Sequence, residues 1–81
     1  MIRIGKKTKL NPEEVVRRAA SFFGPGGYGL EVKEQAPGYV CLEGGGGGVE
    51  VIISPEGKGA SVELVSREWD YQAKEFLGNI G

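Results

Sequence analysis

Four stretches in the middle of the chain, YGLEVKE (28–34), GYVCLE (38–43), VEVII (49–53) and ASVELV (60–65), alternate apolar and polar residues, and Gln-Ala-Pro, GGGGG and SPEGKG separate them. A period of two gives each strand one apolar and one polar face, and turn-forming residues between such runs join them as antiparallel neighbours. The pattern predicts a four-stranded meander. Residues directly opposite in an antiparallel pair share a face, so the loops can be tested against one another. A turn at Gln35-Ala36-Pro37 sets Val32 opposite Val40 and Leu30 opposite Leu42. A loop over 43–48 sets Leu42 opposite Val49 and Val40 opposite Val51, and one over 54–59 sets Ile53 opposite Ala60, Val51 opposite Val62 and Val49 opposite Leu64. All three registers build the same buried face.

On either side of the meander the apolar spacing becomes helical. Asn11-Pro12-Glu13-Glu14 supplies an N-cap, a proline at the first helical position and an acid three residues after the cap. The helix is expected over 12–23, with Val15, Val16, Ala19, Phe22 and Phe23 on one side, Glu13/Arg17 and Glu14/Arg18 pairs on the other, and Gly24-Pro25 as its stop. At the other end Ser66 reads as a cap, and Trp69, Ala73, Phe76, Leu77 and Ile80 predict a second amphipathic helix over 67–77 that Gly78 ends. Before the first helix, Ile2, Ile4, Thr8 and Leu10 alternate with Arg3, Lys7 and Lys9, which makes a fifth strand with cations on one face. The expected fold is α+β, in the order β-α-β-β-β-β-α, with one antiparallel sheet of strand order 2-3-4-5-1 and both helices on one face. A chain of 81 residues has room for one such domain and buries about 60–65% of its unfolded surface.

The five glycines, Gly44 to Gly48, read as a long flexible hairpin connection. A phosphate-binding loop would need GxxxxGK[ST] opening a helix, and here Val49-Glu50-Val51 follows. GPGGYG (24–29) matches G-x-G-x-x-G by letter, but it follows a helix and precedes a strand, the reverse of the dinucleotide-binding context. It reads as a turn.

Cys41 is the only cysteine and histidine is absent, which excludes a disulfide framework, a Cys/His zinc site and any triad needing an imidazole base. The 10 Lys+Arg and 11 Asp+Glu nearly cancel, leaving no overall field toward nucleic acid or membrane. The start MIRIGKKTKL lacks an apolar signal core, and no stretch approaches the roughly 20 apolar residues that span a bilayer. A cytoplasmic protein without membrane association is expected.

The same registers make the outward face specific. Glu31 lies opposite Cys41, Cys41 opposite Glu50, and Glu50 opposite Glu63, an acidic row that asks for cations. Arg3 and Lys7 supply them if the first strand pairs beside the fifth; a divalent cation or a basic partner is the alternative. The next row carries Lys33, Tyr39, Ile52 and Ser61, and Tyr39, Cys41, Ile52 and Val65 form a modest apolar patch of the kind that marks a partner site. Carboxylate catalysis needs environments that split the pKa values of the pair, which a flat solvated sheet does not provide, so neither catalysis nor a cofactor is expected.

The order β-α-β4-α and the closing run ASVELVSREWDYQAKEFLGNI, a long strand leading into a long amphipathic helix, resemble the TBP-like fold. That fold is the minimal form of the helix-grip architecture of START and Bet v 1-like proteins. The resemblance implies a hydrophobic ligand between sheet and last helix, against Phe23, Val51, Leu64, Trp69 and Phe76. The chain lacks the extra helix and strands that open the cavity in those proteins. TBP reads DNA with its sheet face, but that face here would carry Glu31, Glu43, Glu50 and Glu63, which repel phosphates. The function expected is a non-catalytic protein-interaction or oligomerisation module using the sheet face or the edge of the first strand, with a homodimer through that edge as one form. A small hydrophobic-ligand carrier is the alternative.

Overall fold

A computed structural model, describing residues 1–80, places the elements in the order β1 (Ile2–Thr8), α1 (Pro12–Phe23), β2 (Glu31–Ala36), β3 (Tyr39–Gly44), β4 (Gly47–Glu56), β5 (Gly59–Arg67) and α2 (Asp70–Ile80). The sheet is antiparallel with strand order β1-β5-β4-β3-β2, as the alternation predicts. Both helices bury their apolar stripes in one cluster with the inward residues of β3, β4 and β5, so they share one face of the sheet. The other face carries no helix among the described residues. No described helix is long and apolar enough to cross a membrane.

α1 starts where its local chemistry dictates: the Asn11 side chain accepts a hydrogen bond from the Glu14 amide at 2.9 Å, and Pro12 occupies the first turn. The Glu14/Arg18 pair forms as expected, at 2.7 Å, but Arg17 also turns to Glu14 in place of Glu13, which pairs with neither. The two guanidiniums hold the Glu14 carboxyl down to about 2. A depressed carboxyl contributes stability above its unfolded pKa and loses it as pH falls through the folded value. Glu14→Gln should therefore melt below the parent near about pH 6, and the difference should close as pH falls from the ordinary 4.5 through about 2. Urea midpoints measured across that range check it.

α2 begins at Asp70, three residues later than the spacing suggests, because β5 runs on through Arg67 and Glu68 then turns the chain with φ at 68°. Ser66 does cap, its hydroxyl accepting from the Trp69 amide at 3.2 Å, but the bond closes a turn ahead of the helix. Gly78 lies inside α2 and does not stop it. The helix end is held instead by β1, where Thr8 donates to the Ile80 carbonyl at 2.5 Å and Lys6 donates to the Leu77 carbonyl at 3.1 Å. These contacts supply the C-terminal partners and the positive charge that the last turn of α2 lacks.

From β3 to β5 the registers keep the expected faces but not all the expected partners, while β2 changes face beyond its bulge and turns Glu34 outward. β3 and β4 pair as read, with Val40 opposite Val51 and Leu42 opposite Val49. β4 and β5 are shifted by two residues, setting Ile53 opposite Val62, Val51 opposite Leu64 and Val49 opposite Ser66, because the ladder continues to Glu56 and Gly59. β2 and β3 turn tightly through Pro37-Gly38, which sets Val32 opposite Leu42, and a bulge at Lys33 absorbs the extra residue.

Candidate functional site

The glycine run is a tight turn, not a long flexible connection. Gly44 pairs with Gly47 across the hairpin, and Gly45 and Gly46 alone make the bend, at φ of 62° and 82°. Left-handed φ at both central residues is the turn whose twist matches paired strands, and glycine adopts it without steric cost. The flanking glycines are required for another reason. A Cβ on Gly47 would overlap the Arg67 carbonyl, and one on Gly48 would lie 2.8 Å from the Leu42 carbonyl. The Trp69 indole closes over the bend, donating from Nε1 to the Gly44 carbonyl at 2.9 Å.

Three rows of the open face carry the candidate residues. The first holds Glu31, Glu43, Gly48 and Arg67; the second Glu34, Cys41, Glu50, Val65 and Arg3; the third Ala36, Tyr39, Ile52, Glu63 and Gly5. The expected row through Glu31, Cys41, Glu50 and Glu63 is thus not assembled. Glu31 faces Glu43, Glu50 faces Val65 and Glu63 faces Ile52, while only the Cys41–Glu50 neighbours stand as read. Lys33 and Ser61 likewise leave the row expected for Tyr39 and Ile52. The bulge and the two-residue shift account for both corrections. Among the described residues no three metal-ligating side chains converge.

The charges on this face are largely tied within the chain. Arg3 bonds Glu63 at 2.9 Å and Lys7 bonds Glu56 at 2.8 Å, so β1 does supply cations to the face. The Arg3 hydrogen bond holds the Glu63 carboxyl below its usual range. Tyr39 donates to Glu50 at 2.8 Å, and that bond, with partial desolvation, pushes the phenol up from its ordinary value. Around Glu50 the side chains of Tyr39, Cys41, Ile52 and Val65 are half-buried and contiguous, with Ala36 beside Tyr39. Arg67 and Glu34, which the sequence reading did not single out, belong to the same surface. Continuing the alternation of β5 two residues past Val65 would have found the arginine.

The residues expected to line a ligand groove are packed differently. Phe23, Val51 and Leu64 are fully buried and Phe76 is 1% exposed, and all four belong to the core. Phe76 touches Phe22 and Phe23 with both ring centroids at 5.4 Å. Trp69 is half-buried at the glycine turn. A cleft of about 380 Å³ opens between the two helices, beside Arg17, Arg18, Ser21, Phe22, Phe76, Asn79 and Ile80, rather than between the sheet and α2.

No protein-family model, curated protein or solved structure matches this chain.

Proposed function

We propose that this chain is a non-catalytic protein-interaction module whose contact surface is the open face of the sheet. The observation that carries this reading is the contiguous apolar group Tyr39, Cys41, Ile52 and Val65 on a face that no described helix covers. A sheet in a small domain buries apolar side chains on one face and solvates the other, and an apolar patch ringed by charge on the solvated face is what a partner surface looks like. The same reading groups the fold with the TBP-like, minimal helix-grip architectures, supported by the element order and by the strand-to-helix run at the end of the chain. Glu31, Glu43, Glu50 and Glu63 on that face oppose nucleic acid as the partner.

The edge of β1 is a secondary contact element. Its ladder with β5 is unbroken over seven pairs, whereas the other edge, β2, carries the bulge at Lys33 that blunts edge pairing. The groove alternative has less support, since four of its five residues are closed in the core.

Light scattering over a concentration series tests the reading. The parent should gain mass with concentration, Ile52→Lys should remove the gain by placing a charge at the centre of the patch, and Ile4→Pro, which breaks the β1 edge and removes a side chain packed against the core, should keep it once circular dichroism shows the variant folded. A gain that Ile52→Lys leaves intact, or that Ile4→Pro alone abolishes, would overturn the face as the contact surface.

A further inference from the structure

We propose that the partner is a second copy of this chain, docked face to face about a two-fold axis parallel to the strands and centred over β4. The proposal rests on the open face being the contact surface and adds the identity and orientation of what covers it.

Sheets that pack face to face align within about 30°, and a two-fold between them then runs either along the strands or across them. The register decides between the two. An axis along the strands exchanges β5 with β3 and β1 with β2 and keeps each row at its own level. Arg67 then meets Glu43 of the second copy, Arg3 meets Glu34, Val65 meets Cys41, and Ile52 meets its own counterpart. Among the described residues Arg67, Glu34 and Glu43 make no ion pair within the chain, and the Arg67 guanidinium lies over Gly48 toward the Glu43 side chain. Gly48, between Glu43 and Arg67 in its row, leaves room where the guanidinium lies across the strand. An axis across the strands through Ile52 would instead reverse the levels, setting Arg3 against Lys7 and Val65 against Ser61 and bringing neither Arg67 nor Glu43 to an opposite charge. Opposite charges at the rim and apolar side chains at the centre are the arrangement that fixes both partner and register.

One side chain opposes the arrangement. Glu50 sits beside the axis and meets Glu50 of the second copy, and among the described residues its one hydrogen bond comes from the Tyr39 hydroxyl, with Arg3 acting on it from farther along the row. Neutralising that residue should therefore tighten the dimer.

The test is sedimentation of the full chain across a concentration series at fixed salt, with circular dichroism confirming that each variant is folded. Arg67→Glu and Glu43→Arg should each raise the dimer dissociation constant about tenfold, and the double variant should return it to within about threefold of the parent. Glu50→Gln should lower it. If the parent dimerises and Ile52→Lys abolishes the dimer, but the double variant is no tighter than either single one, the orientation is overturned and the open face still stands as the contact surface. If the parent is monomeric at every concentration, the second copy is overturned as the partner, and the open face still stands as the contact surface for another protein.

Discussion

Gly47→Ala should destabilise the domain by about 3 kcal/mol or more, a large share of the roughly 4–12 kcal/mol available to a chain of this size. The added Cβ meets the Arg67 carbonyl, a backbone atom held in the ladder between β4 and β5, so relief requires moving a strand rather than turning a side chain. Gly46→Ala is the internal comparison. Its Cβ points into open space, and only the left-handed φ of 82° opposes it, at a cost of about 1 kcal/mol. Urea denaturation of both variants at unchanged slope measures the difference. Equal losses would mean that the run is a loose connection after all.

Phe76→Ala should cost about 3–5 kcal/mol and lower the melting temperature by on the order of 20 °C. The ring is 1% exposed and lies against both Phe22 and Phe23, joining α2 to α1 above the inward residues of the sheet. Phe22→Ala, at a half-buried ring on the same cluster, should cost clearly less. Calorimetry checks both. A Phe76 variant melting within a few degrees of the parent would indicate an adaptable space at this position, as a ligand carrier would need, rather than a packed core.

What could be read from the sequence followed the range of the signal. α1 is legible to the residue because its start is local: Asn11, Pro12 and Glu14 lie within a four-residue stretch and each acts within one turn. The strand faces are legible because a period of two fixes which side chains point inward. It does not fix which inward residues meet, and a shift of two residues between β4 and β5 leaves every face unchanged while moving Glu63 from Glu50 to Ile52. The bulge at Lys33 escaped for a related reason, since one extra residue in a charged edge strand leaves no mark on an apolar pattern. The glycine turn was obscured by its own composition. Gly45 and Gly46 bend the chain, but five identical residues do not show which two do so. The start of α2 depended on Glu68 taking a left-handed conformation, which glutamate rarely signals. On the candidate surface Tyr39, Cys41, Glu50, Ile52 and Glu63 were all correctly placed facing outward. Their neighbours between β3 and β4 were placed as well, Cys41 beside Glu50 and Tyr39 beside Ile52; those on β2 and β5 were not, and the charge pattern of the face follows from them.

The central claim, that the open sheet face is where this protein meets its partner, is tested most directly by isotope-filtered NOE spectroscopy on an equal mixture of labelled and unlabelled chain at assembling concentration. Contacts between copies should run from the methyls of Ile52 and Val65 to Ile52, Cys41 and Tyr39 of the other copy. Contacts confined to Ile2, Ile4 and the backbone of β1, in a sample whose mass has doubled, would contradict it.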